Sequence, residues 1–212
     1  MGKLYNKTCL INESFFKKID NENKAYFLGL LFADGYHEEK GNRIKLSLTE
    51  KDIDILNKLK TTIKSTHKLN HEKPKNGKPK YSFTFRNKQI SNDLIKLGLR
   101  QKKSFTCRIP KLNRKMHSHF IRGYFDGDGT IGINKKGKWG FGIYGNQGFL
   151  KDLLLILPKE LRIQMYNHHS IYRLQTGKKS TILDFYEYLY KDATIWLDRK
   201  YDMWDKIRGT VP

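Results

Sequence analysis

Cysteine is nearly missing from this chain. Its 212 residues include two, Cys9 and Cys107, with no CxxC pair. That excludes a disulfide scaffold or a cysteine-based zinc site and points to a reduced, intracellular compartment. Long apolar runs are missing too: none approaches the ~20 residues of a membrane span. The opening Met1-Gly2-Lys3-Leu4-Tyr5-Asn6 lacks the apolar core of a leader peptide. Nothing resembles a Walker loop or a GxSxG elbow. The histidines, from His67 and His71 to His168 and His169, are scattered without zinc-ligand spacing. Acid is the deficit with most consequence. Against 42 Lys and Arg stand 21 Asp and Glu, a formal net charge of +21. Such an excess asks for a polyanionic partner, nucleic acid first.

What is present includes 12 Tyr, 12 Phe and 38% hydrophobic residues, enough for a packed core. The chain also repeats itself. Residues 27–35 read FLGLLFADG and residues 121–129 read IRGYFDGDG. Gly29 aligns with Gly123, Asp34 with Asp128 and Gly35 with Gly129, all at one offset. The period exceeds the ~20–50 residues of a solenoid unit, so it describes two half-domains. We place an arm or short helix at 1–22, a first half at 23–112 and a second at 113–212, dividing near Pro110 to Arg114.

The two halves share an element order. Arg43 to Thr49 and Lys80 to Arg86 alternate apolar and polar residues, as half-buried strands do. Ile53, Ile55, Leu56, Leu59 and Ile63 recur at helical spacing, and Ile90 to Leu97 form another helix closed by Gly98. Asn76-Gly77 signals a hairpin turn. In the second half, 130–134 and 138–144 form a hairpin, 149–157 a helix, 162–166 and 171–175 weaker strands, 182–190 a helix, and 195–208 a terminal helix. The aromatic run from Tyr186 and Tyr190 to Tyr201 and Trp204 reads as core.

One apolar helix ending in Asp-Gly is ordinary, with Gly as the cap. Two copies change the balance. Gly29 and Gly123 lie five residues before their acids, and a glycine inside a helix costs ~1 kcal/mol relative to alanine. Close approach of two helix backbones would offset that cost. The C-terminal ends would then meet, with Asp34 beside Asp128. Helix C-termini carry partial negative charge, so paired carboxylates there repel until a divalent cation joins them. Oxygen ligands suit Mg²⁺, and such an ion activates phosphodiester hydrolysis.

These paired motifs, with their spacing and element order, resemble the single-chain LAGLIDADG homing endonucleases over nearly the whole chain. The resemblance implies an α+β fold of two pseudo-symmetric αββαββα half-domains, packed through the motif helices at Gly29 and Gly123. Antiparallel sheets would form a saddle over DNA. It implies a monomer that cuts both strands of a long, poorly palindromic duplex and leaves short 3′ overhangs. It implies Asp34 and Asp128 as metal ligands, together with the residues before them. Those preceding residues are Ala33 and Gly127. Mg²⁺ would be the working ion, with Mn²⁺ substituting and Ca²⁺ binding without turnover. Phe32 stands where many members carry an acid, which Asp126 retains. Glu50 and Asn146, after the second strand of each half, would position water, although Glu50 serves equally well as a helix cap. Lys103 and Lys200 would approach the metals, or else Lys102 and Arg199 if the register slips.

The polar strand faces are the expected DNA surface, since the major groove admits a two-stranded ribbon. Arg43, Lys45, Ser47, Lys80, Ser82, Thr84 and Arg86 would lie on one such face. Asn134, Lys136, Lys138, Arg173 and Gln175 would lie on the other. The acids of these strands do not balance the cations. Lys73, Lys75 and Lys78 suit phosphates. Two other functions fit the scaffold: an intron maturase binding RNA, and a DNA-binding regulator without cleavage. Retention of both acids favours the nuclease.

Overall fold

A computed structural model describes residues 9–73, 77–102, 106–169 and 171–209. Lys103, Lys75 and Asn76 lie outside the described residues.

The first half runs α1 (Glu22–Asp34), β1 (Gly35–Glu38), β2 (Arg43–Thr49), α2 (Ile53–Thr62), β3 (Leu69–Glu72), β4 (Lys80–Arg86) and α3 (Lys88–Lys96). The second runs α4 (His117–Asp128), β5 (Gly129–Ile133), β6 (Trp139–Gly145), α5 (Gln147–Ile156), β7 (Gln164–His168), β8 (Ile171–Thr176) and α6 (Lys179–Tyr190). A last helix, α7 (Asp198–Arg208), follows. Each half forms an antiparallel sheet, in the orders β1-β2-β4-β3 and β5-β6-β8-β7. The expected α+β architecture of two αββαββα halves is the one observed.

Alternation sets the sheet faces. Ile44, Leu46 and Leu48 of β2 turn inward with Phe83 and Phe85 of β4, against Ile55, Leu56 and Leu59 of α2. In the second half Phe141 stacks between Phe125 and Phe185, with centroids 5.0 and 4.5 Å away. Trp204 of α7 closes that cluster and is fully buried. Helix α1 begins at Asn21, whose side chain accepts from Lys24 N. Ala25 through Ala33 are all buried, so this helix has no solvent face; it is a core helix.

Residues 9–21 lie against the first half: Phe15, Phe16 and Ile19 are buried, and Asn12 N donates to Ile63 O. Strands β1 and β3, four residues each, carry too few residues to show alternation. The terminal helix starts at Asp198, because Ile195 and Leu197 are spent as core contacts before it.

Candidate metal centre and nucleic-acid interface

Helices α1 and α4 touch backbone to backbone. A Cβ on Gly29 would fall 2.0 Å from Phe120 O, and one on Gly123 would fall 1.9 Å from Tyr26 O. Neither position admits any other residue without separating the helices. One turn further, a Cβ on Gly127 would meet Ala33 Cβ at 2.3 Å and Asp34 Oδ2 at 3.0 Å. The Asp34 carboxylate therefore leans across the interface onto the residue before Asp128. Asp34 is exposed and Asp128 half-buried. The alanine at 33 is accommodated because its neighbour across the interface is a glycine.

Two further groups belong to this cluster. Tyr124 OH donates to Tyr144 O at 2.9 Å. Burial, then the charge of Asp128, pushes the Tyr124 phenol well up, and Asp34 adds to it. Lys200 is buried, and its Nζ donates to Phe125 O and to Gly129 O, the latter at 2.7 Å. It thus satisfies carbonyls at the C-terminal end of α4. Burial lowers its pKa to about 8, against the pull of Asp126, Asp34 and Asp128; Arg199 lowers it further. The neighbouring Arg199 turns elsewhere, with Nε 3.0 Å from Asp52 Oδ1. Of that pair it is Lys200 that faces the acids.

Asp126 is not part of the exposed site. It is fully buried and accepts from Tyr26 OH at 2.7 Å and Leu197 N at 2.8 Å. Burial raises its pKa. Its counterpart Phe32 packs on Phe120 instead, with centroids 5.4 Å apart. Sequence reading missed Arg122. This buried guanidinium donates to Glu22 Oε1 at 2.6 Å, Leu189 O at 2.7 Å and Ile195 O at 2.9 Å. Charge inside an apolar motif was the available signal.

Glu50 and Asn146 are not equivalent. Gly35 lies opposite Leu46, and Gly129 opposite Ile143. The strand position of Asn146 is therefore that of Thr49, and Glu50 corresponds to Gln147. Asn146 caps α5, accepting from Phe149 N at 2.9 Å and donating to Cys107 O at 3.0 Å. Glu50 is exposed in a short 3-10 turn, Glu50–Asp52. Among the described residues, no three His, Cys, Asp or Glu gather as ligands. A site built on Asp34 and Asp128 would offer two carboxylates, and Asp34 is open to solvent. That donor set suits a hard cation that keeps several waters.

The strand faces hold most of the remaining candidates. Arg43, Lys45, Ser47 and Thr49 of β2 face Arg86, Thr84, Ser82 and Lys80 of β4 across one surface. The surface is not purely cationic, contrary to expectation. Glu38 pairs with Arg43 at 2.8 Å and Glu72 with Lys45 at 2.7 Å, because β1 and β3 supply the acids that β2 and β4 lack. Ser82 is buried and donates to Glu72 Oε1 at 2.6 Å; Arg86 Nη1 donates to Gly41 O at 2.8 Å. On the second sheet Arg173 and Gln175 lie across from Tyr144 and Gly142, beside a hollow of about 360 Å³ that Asn134 and Lys138 also line. Asn134 builds its turn, accepting from Lys136 N at 2.9 Å and Lys138 N at 3.0 Å.

No protein-family model and no curated protein matches the sequence. Solved structures do. The LAGLIDADG meganuclease I-AabMI bound to uncleaved DNA superposes with a TM-score of 0.60, at 11% identity over 90% of each chain. The I-LtrWI LAGLIDADG homing endonuclease bound to target DNA gives 0.58 at 13% identity, covering 94% of this chain and 92% of that one. Full-length DUF199/WhiA from Thermatoga maritima gives 0.56 at 17% identity over 93% of this chain. This chain spans 64% of that protein's length.

Proposed function

We propose that this chain, which has the LAGLIDADG fold, is a site-specific endonuclease that cuts both strands of duplex DNA. One observation carries the reading: the glycine contact of α1 and α4 brings Asp34 against Gly127 and so beside Asp128. Two carboxylates at adjoining helix C-termini are costly for stability alone, because like charges and helix dipoles oppose each other. A function that uses them accounts for their place between two sheets whose faces carry Arg43, Lys45, Arg173 and Gln175.

Asp34 and Asp128 would hold the divalent cation, Mg²⁺ by preference, with the backbone at Ala33 and Gly127 beside them. When bound, the ion supplies an activated water and charge stabilisation at the phosphate. The chain's own residues do the rest. Tyr124 steadies the Asp128 side of the site. Lys200 fixes the end of α4 and places positive charge beneath the acids. The strand faces grip the duplex and set its register, as a monomer.

A second reading keeps the same fold, which full-length DUF199/WhiA also shares, without the cleavage. On that reading the chain binds DNA and leaves it intact; RNA binding as an intron maturase is a variant of it. The test is a randomised duplex library incubated with Mg²⁺ and, in parallel, with EDTA. We expect double-strand cuts with short 3′ overhangs in the first arm alone. Asp34→Asn and Asp128→Asn should each lower cleavage at least a hundredfold while duplex binding persists. Binding without any wild-type cleavage would select the second reading.

A further inference from the structure

The face of the first sheet carries two carboxylates where a phosphate-binding surface gains from none. Glu72 Oε1 takes Lys45 Nζ at 2.7 Å and Ser82 Oγ at 2.6 Å. The hydrogen bond from Lys45, then that from Ser82, holds Glu72 below the usual carboxylate range. It is therefore an anion at neutral pH, able only to accept. Beside Lys45 on the same face of β2, Arg43 Nε lies 2.8 Å from Glu38 Oε2, and its guanidinium sits 5.4 Å from the Tyr36 ring centre. The Lys45–Glu72–Ser82 set is fastened before any ligand arrives, whereas Arg43 Nε and Glu38 Oε2 lie close without a hydrogen bond among the described residues.

Toward a phosphate each acid is repulsive. Toward a base edge it is not. In the major groove cytosine offers its N4 amino donor, and the guanine beside it offers the O6 and N7 acceptors. A carboxylate held against a cation is the complement of that edge: Glu72 accepts from cytosine and Lys45 donates to guanine. Phosphate contacts carry no sequence information, so acids on this face serve discrimination rather than grip.

The second sheet is built in the opposite way. Thr130 faces Gly142, Gly132 faces Gly140, and Gly142 faces Gln175. A Cβ on Gly132 or Gly140 would meet nothing within 4 Å. The floor of the hollow is therefore open backbone, and no carboxylate is among its lining residues. Arg173 and Gln175 stand at its side, with Arg173 Nε buried and lacking a hydrogen-bond partner among the described residues. Side chains that could tell one base pair from another are fewer here.

We infer that the two sheets read duplex DNA unequally: discrimination is concentrated in the half-site under the first sheet, where Glu72 and Lys45 together select a G·C pair, and is relaxed over the glycine floor of the second. This rests on the proposed duplex-binding role, but not on cleavage.

The test is therefore a binding experiment on the full chain without divalent cations. Duplexes randomised over a long window are selected by gel shift and sequenced. The selected site should carry sharper preferences in one half, including a G·C position. Glu72→Gln and Lys45→Met should each weaken selection at that one position about tenfold and leave the others unchanged. Glu72→Gln should bind unselected duplex at least as tightly as wild type, since a repulsive charge has gone. Full G·C preference in Glu72→Gln, or equal selectivity in the two halves, overturns the inference and leaves the duplex reading standing. A wild-type chain that retains no duplex overturns both.

Discussion

Replacing Gly29 by alanine sets two well-understood effects against each other. Within a helix, alanine is favoured over glycine by ~1 kcal/mol, so intrinsic propensity alone makes Gly29→Ala stabilising. Packing says the reverse. The added Cβ would lie 2.0 Å from Phe120 O and 2.8 Å from Tyr124 N, both backbone atoms that cannot rotate aside. Relieving that contact requires the helices to part by about 1 Å, through an interface packed at crystal density. Overpacking of a core costs ~1–3 kcal/mol, and a backbone neighbour puts this site at the upper end. After the propensity gain, a net loss of about 2 kcal/mol remains. For a chain of this size that lowers the Tm by about 4–8 °C. The control is Gly132→Ala, where the new Cβ meets nothing within 4 Å; its stability should stay within about 0.5 kcal/mol of wild type. Urea unfolding midpoints of the three proteins decide the matter. A Gly29→Ala protein as stable as wild type would refute the close contact of α1 and α4, and with it the pairing of Asp34 and Asp128.

Three other outcomes follow from the same structure. Duplex affinity should fall steeply with salt, with log K against log[salt] near a slope of −9 if about ten phosphates are neutralised; titrations at several salt concentrations measure it, and a flat line contradicts a phosphate-bound complex. Glu22→Ala should destabilise by about 3 kcal/mol, because it strips the buried Arg122 of its carboxylate partner at 2.6 Å; denaturant unfolding at pH 7 reads this directly. Lys200 gives a pH signature. Its folded pKa of about 8 lies below the ordinary lysine value of 10.5, so the unfolded chain binds the extra proton between those values. Stability should therefore rise with pH across that window, by about 3 kcal/mol in all, as the cost of a buried ammonium disappears. Unfolding of wild type and Lys200→Met at pH 7 and pH 10 isolates the effect, and the same pH response in both would refute it.

The duplication made much of this fold legible. Gly29, Gly123, Asp34 and Asp128 are visible in sequence because each is an unfavourable choice made twice: glycine inside a helix, and acid at its negative end. The long strands β2 and β4 declare themselves by alternation, since one face is buried and the other is not. What stayed hidden has physical reasons too. Strands β1 and β3 are too short for a period, yet they bring Glu38 and Glu72 onto the polar face and alter its charge. Asn146 is set against Thr49 rather than Glu50 by cross-strand register, which counting along the chain does not reveal. Arg199 and Lys200 are neighbours of like charge. Only the placement of Asp52 and the helix carbonyls separates their roles.

The two halves agree in backbone and differ in what fastens them, and this bears on why they share one chain. Aligned by their motifs, Phe32 stands where Asp126 does, Leu28 where Arg122 does and Met116 where Glu22 does. The apolar member of each of the first two pairs lies on α1 and is buried. The polar members on α4 are satisfied by groups outside that helix: Asp126 by Tyr26 and Tyr190, Arg122 by Glu22. Two copies of the second half would bring together two buried arginines with no Glu22 to receive them. Two copies of the first would lose the tyrosine-bound carboxylate that also draws in Leu197 N ahead of α7. A buried charge without its partner costs several kcal/mol, so the second half is poorly matched to itself and well matched to the first. The same divergence reaches the strand faces, crowded with acid–base couples on one side and floored with glycine on the other. A target matched to such a pair of surfaces has no reason to be palindromic.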